Sequence, residues 1–141
     1  MRDGAKIINS SSCAVWIDRG NFRMYGGNIT ENGGAAVTAG AGGVHMNNNS
    51  IFTMRGGTIS NNTGRYSGGV YIASSNAVNN LGIFIKEGGI IYGNISAAGI
   101  GHSVRVRQGG STLPERFLNN TVPANQRIDT TIAGPGWTWV E

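Results

Sequence analysis

Phe52-Thr53-Met54-Arg55-Gly56-Gly57-Thr58-Ile59-Ser60-Asn61-Asn62, followed by Gly68-Gly69-Val70-Tyr71-Ile72, is the stretch from which the architecture of this chain can be read. Its first half recurs twice. Phe22, Gly26-Gly27, Ile29 and Asn32, and again Phe84, Gly88-Gly89, Ile91 and Asn94, repeat Phe-x-x-x-Gly-Gly-x-Ile-x-x-Asn with identical internal spacing. Agreement at five positions in three places marks an internal repeat, the feature that decides a fold before any other. The second half recurs as Val-x-apolar in Val15-Trp16-Ile17, Val44-His45-Met46 and Val104-Arg105-Val106, with Gly42-Gly43 before the Val44 copy. The three Phe residues lie 30 and 32 residues apart, and the four Val residues 29, 26 and 34. Fixed strands joined by loops of variable length produce such an elastic period.

Each unit therefore holds three short β segments: Val-x-apolar, Phe-x-Met, and the x-Ile-x that follows the Gly pair. Alternate side chains of a strand face opposite sides, so Val and Met, then Phe and Met, then Ile point one way. One unit cannot bury that face alone, whereas stacked units can, at roughly 4.8 Å per unit. Parallel crossovers are overwhelmingly right-handed. The expected fold is all-β: a single-stranded right-handed parallel β-helix, or β-solenoid, of about three to four coils with three short strands per coil. A sandwich of hairpins is the competitor, but it has no reason to space Phe, Gly-Gly, Ile and Asn identically three times. The Gly pairs read as corners, where positive φ is at home. Asn32, Asn62 and Asn94 read as either a stacked amide ladder or simple turn residues.

Composition agrees. The chain has 141 residues with 24 Gly, a charged fraction of 13% and a hydrophobic fraction of 39%. Apolar residues come in short pieces punctuated by Gly, Asn, Ser and Thr, the pattern of many strands and tight turns. That apolar content is too high for a disordered chain. Cys13 is the single cysteine, so no internal disulfide forms. No run of about 18 apolar residues is present to cross a membrane. Met1 to Lys6 lacks the apolar stretch of a signal peptide, which leaves an intracellular protein or a piece of a longer exported one. The net charge of +4 comes from scattered Arg and Lys residues rather than a block, which reads as an ordinary solvated surface.

The quoted residues resemble repeats of the form Phe-Thr-Met-x-Gly-Gly-Thr-Ile-x-x-Asn, followed by Gly-Gly-Val-Tyr-Val, in large repetitive surface proteins of bacteria and archaea. The similarity covers roughly residues 4–106. It implies the pectin-lyase-like right-handed β-helix of adhesin-like extracellular proteins, and it specifies no activity. The third copy departs from the pattern, with Lys86 where Met is expected and an insert from Ser74 to Leu81.

Residues 1–107 are assigned to the stacked coils, and residues 108–141 to an irregular last coil or C-terminal cap of the same domain. Ile7 and Ile8 take the third-strand role of an earlier unit. Beyond Val106 the repeat fades, and Leu118, Val122, Ile128, Ile132, Trp137 and Trp139 are the apolar residues from which a cap would be laid. A linker is the alternative. Open ends of a parallel column leave backbone groups unpaired and favour self-association.

Chemistry is harder to find. A calcium-dependent lyase needs several carboxylates on one face and a base, and a glycosidase needs a facing carboxylate pair. The acids are Asp3, Asp18, Glu31, Glu87, Glu115, Asp129 and Glu141. Only Asp18 and Glu87 adjoin the repeated strands, and they align to different faces. Gly101-His102-Ser103 with Arg127-Ile128 weakly resembles pectin-degrading hydrolases, whose Asn-Thr-Asp and Asp-Asp signatures are absent. His45, His102 and Cys13 fall at unrelated repeat positions, so no metal and no cofactor is expected.

The middle residues of the Val-x-apolar strands, Trp16, His45, Tyr71 and Arg105, are expected to stack along one solvent-facing column. Such a column serves cross-strand packing, or alternatively suits sugar rings. A basic stripe for nucleic acid is broken by His45/Asn47 and Tyr71/Ala73. The expected role is a non-catalytic segment of a secreted or cell-surface protein, a stalk or an adhesive, glycan-binding module. Surface glycans or a host or cell-envelope protein would be its partners, with neither nucleic acid nor membrane insertion. The alternative is a fragment or relative of a β-helix polysaccharide lyase or glycoside hydrolase.

Overall fold

A computed structural model of the chain describes residues 1–34, 40–74, 82–98, 103–108, 116–118 and 137–139. Among these residues the protein is all-β, with no helix. The Val-x-apolar segments form β2 (Val15–Asp18), β5 (Val44–Asn47), β9 (Val70–Ser74) and β13 (Val104–Gln108). The Phe-x-Met segments form β3 (Asn21–Met24), β6 (Ile51–Met54) and β10 (Ile83–Lys86), and the x-Ile-x segments β4 (Asn28–Thr30), β7 (Thr58–Ser60) and β11 (Ile90–Tyr92). Before them lies β1 (Lys6–Ile8). The short β8 (Thr63–Gly64) and β12 (Ile95–Ser96) follow two of the Asn corners, and β14 (Arg116–Leu118) and β15 (Trp137–Trp139) come last.

Equivalent strands of successive units pair with one another. The sheets run β1-β4-β7-β11, β15-β10-β6-β3, β14-β13-β9-β5-β2 and β12-β8. Every pairing between repeated strands is parallel, while β13 and β14 are antiparallel. Registers match the sequence alignment residue for residue: Phe22, Phe52 and Phe84 are successive partners, as are Ile7, Ile29, Ile59 and Ile91. Ile7 thus takes the place expected of it. Parallel sheets stacked in this way are compatible with a β-solenoid.

The interior follows from strand alternation. Phe52, Phe84, Met24, Met54, Ile29, Ile59, Met46, Ile72, Val44, Val70 and Val104 are fully buried. The Phe rings form a file with centroids 5.2 Å apart between Phe22 and Phe52 and 4.9 Å between Phe52 and Phe84. Lys86 continues the Met24–Met54 file and is only 8% exposed. Desolvation holds its ammonium below the ordinary lysine range.

The corner after the third strand is a backbone device repeated at each level. Asn9, Glu31, Asn61 and Gly93 all have φ between 55° and 61°, the left-handed region that lets the chain turn sharply. Each precedes a ladder residue: Ser10, Asn32, Asn62 or Asn94. The ladder reading of the three Asn residues holds. Asn32 Nδ2 donates to Asn62 Oδ1 at 2.9 Å, and Asn62 Nδ2 to Asn94 Oδ1 at 3.0 Å. The same oxygens accept from the backbone N–H groups of Asn32 and Asn62. Ser10 donates its N–H to Asn32 Oδ1 at 3.0 Å and, having no amide, passes no side-chain bond onward in that file.

At the Gly pairs before the third strand, Gly27, Gly57 and Gly89 have φ of 86°, 85° and 79°. A Cβ on Gly57 would also collide with the Gly27 carbonyl and the Met24 methyl. Conformation and crowding both demand glycine there.

Of the insert expected from Ser74 to Leu81, Ser74 ends β9 and 75–81 lie outside the described residues. The same holds for Val122, Ile128 and Ile132. β15 pairs in parallel with β10, setting Trp137 opposite Phe84 in the backbone register.

Candidate binding face

Trp16, His45, Tyr71 and Arg105 do form one file. They are successive Cα partners across β2, β5, β9 and β13. The Trp16 and His45 rings stack at 4.0 Å between centroids, with 28° between planes. His45 and Tyr71 meet edge to face at 5.2 Å and 82°.

Their expected common exposure is corrected. Trp16 is 55% exposed, but His45, Tyr71 and Arg105 are 7%, 4% and 6%. Two neighbours account for much of this cover. Gly40 lies against His45 and Tyr71 so closely that a Cβ there would collide with both rings. Tyr66, just ahead of β9, places its ring 5.3 Å from Tyr71. The Arg105 guanidinium sits 5.4 Å over the Tyr66 ring and donates to the Tyr66 carbonyl at 3.4 Å. Arg65 lies 5.1 Å over the same ring. Tyr66 and Arg65 carried no signal in the repeat, because corner residues follow no strand alternation.

Electrostatics around the file are uneven. His45 Nε2 lies 3.2 Å from Asn47 Oδ1, and desolvation lowers the imidazole pKa from the ordinary 6.5 despite that contact. Beside Trp16 on the same strand, Asp18 accepts from Asn48 Nδ2 at 3.0 Å and pairs with Arg19 at 3.5 Å.

A second strip runs along the corner after the Phe-x-Met strands. Tyr25, 42% exposed, has the guanidinium of Arg2 at 5.5 Å and that of Arg55 at 5.7 Å. Arg55 is ion-paired and hydrogen-bonded to Glu87, which raises its pKa above the ordinary arginine value. Asp18 and Glu87 adjoin different sheets, as their alignment required.

Among the described residues no three of His, Cys, Asp and Glu gather into a group able to hold a metal ion. Cys13 is half-buried, and burial raises its thiol pKa. Gly101, His102, Glu115, Arg127, Asp129 and Glu141 lie outside the described residues. No described helix is long and apolar enough to cross a membrane. Comparison with protein-family models, curated proteins and solved structures finds no match to this chain.

Proposed function

We propose that the chain is a right-handed parallel β-helix of about three to four coils, three short strands to each. In this reading it serves as a non-catalytic, load-carrying stalk segment of a secreted or cell-surface protein. The observation that supports it best is the in-register file of Asn32, Asn62 and Asn94 inside the stack. Side-chain ladders of this kind, with parallel backbone pairing at every level, stiffen a column along its axis and leave the outer surface free to vary. The handedness follows from the general rule for parallel crossovers.

The adhesive form of the proposal contracts to Trp16, the one exposed member of the expected column. Surface glycans, or a host or cell-envelope protein, remain the partners proposed. A glycan array with the wild-type chain, Trp16→Ala and Tyr71→Ala tests it. Binding lost in Trp16→Ala supports an adhesive module, and identical behaviour of all three leaves the stalk alone.

The polysaccharide lyase or hydrolase alternative has a direct test in depolymerisation of pectins and other acidic glycans. Turnover abolished by Asp18→Asn or Glu87→Gln would replace the stalk reading. Light scattering over a concentration series addresses self-association.

A further inference from the structure

His45 is the one described histidine, and its surroundings suit only the neutral ring. With Nε2 carrying the hydrogen and donating to Asn47 Oδ1, Nδ1 is the bare nitrogen, and it has no hydrogen-bond partner among the described residues. Acid would place a second proton on that buried atom. An N–H donor closed off from water and without an acceptor is costly, and a charge on the same ring more so.

Among the described residues no counter-charge is positioned to relieve it. From β2 the ring meets Trp16, and the Asp18 carboxylate next along that face is already engaged by Asn48 and Arg19. From β9 it meets Tyr71, and beyond Tyr71 lie Tyr66 and the cations of Arg65 and Arg105. The stretch Ala35-Ala36-Val37-Thr38-Ala39, leading into Gly40, carries no titratable side chain.

β2 is the strand this arrangement controls. Among the described residues it stands at the edge of its sheet with β5 as its one strand partner there, and its exposed Trp16 leans on the His45 ring. We propose that the Trp16–His45 stack is an acid-sensitive latch: protonation of His45 loosens β2 from β5, while the inner strands stay paired.

The sign follows from linkage. A group whose folded pKa lies below its unfolded value contributes stability that is whole above the unfolded value, here 6.5, and is lost as pH falls through it toward the folded value. The effect should therefore emerge in mildly acidic solution.

Hydrogen exchange at residues 14–18, corrected for intrinsic rates, tests the latch in the wild type, His45→Phe and His45→Gln. Between about pH 7.5 and about pH 5, protection in the wild type is expected to fall, by about tenfold for each unit by which folding lowers the ring's pKa. Both variants should show no such fall. NMR titration of the wild-type ring, assigned by its absence from the variants, gives a second reading that does not require the variants to keep full stability. Equal acid sensitivity in wild type and variants, or a His45 ring titrating at or above 6.5, would overturn the latch.

Discussion

Asn32 and Asn62 lie 30 residues apart in the chain, yet the side-chain amide of the first donates to the side-chain oxygen of the second at 2.9 Å, in a region closed to solvent. The Asn62 oxygen also accepts the Asn32 backbone N–H, and Asn62 Nδ2 reaches both Asn94 Oδ1 and the Ile29 carbonyl at 3.0 Å. One side chain thereby ties three units together.

Asn62→Ala should consequently be among the most damaging single changes. It removes the bond to Asn94 Oδ1 and takes their Asn62 partner from the Asn32 N–H and the Ile29 carbonyl of the preceding unit, at about 1–3 kcal/mol for each buried group left unsatisfied. A loss of about 3 kcal/mol or more is expected in urea unfolding. Asn62→Asp should be no better, because the added charge would sit in the same closed site and could not replace the two Nδ2 bonds.

Phe52 and Phe22 occupy the same file but not the same environment. Phe52 is sealed between two rings, whereas Phe22 is only partly buried at the edge strand. Phe52→Ala is expected to cost about 3–5 kcal/mol, the range for a fully packed ring. Phe22→Ala should cost clearly less. Equal losses from the two in chemical denaturation would mean the file is not continuous.

Lys86→Met should stabilise the protein, by up to about 1.4 kcal/mol for each unit by which burial depresses the lysine. The sign can be checked with pH. A lysine lowered on folding contributes a penalty that is absent above its unfolded value of 10.5 and grows as pH falls through it. The gain from methionine, read as a shift in thermal midpoint, should be present at neutral pH and shrink in strongly alkaline solution.

Two glycines make a matched test of the corners. Gly57→Ala puts a Cβ into the left-handed region and against the Gly27 carbonyl, so a loss of at least about 1 kcal/mol is expected. A Cβ on Gly34 meets nothing within 4 Å and its φ is not positive. Gly34→Ala should be neutral or stabilising by up to about 1 kcal/mol in the same denaturation assay.

Much of the architecture was legible in the residues. Identical spacing of Phe, Gly-Gly, Ile and Asn foretold which strands pair, in which direction and at what register, because a stack of like units buries like positions over one another. Alternation foretold which side chains turn inward. The sequence also left the three Asn residues open between ladder and turn, since both uses favour the same residue at the same place.

The candidate site was legible only in part. That Trp16, His45, Tyr71 and Arg105 share one file followed from strand repetition alone. Whether they meet solvent did not. Cover on an outward column comes from what lies across it, here Gly40 and Tyr66, and those residues belong to corners with no period to decode. Repetition in the chain thus told which residues are neighbours, because pairing is local to equivalent positions. Folding alone settled which of them water can reach, because burial depends on segments brought over the sheet from elsewhere.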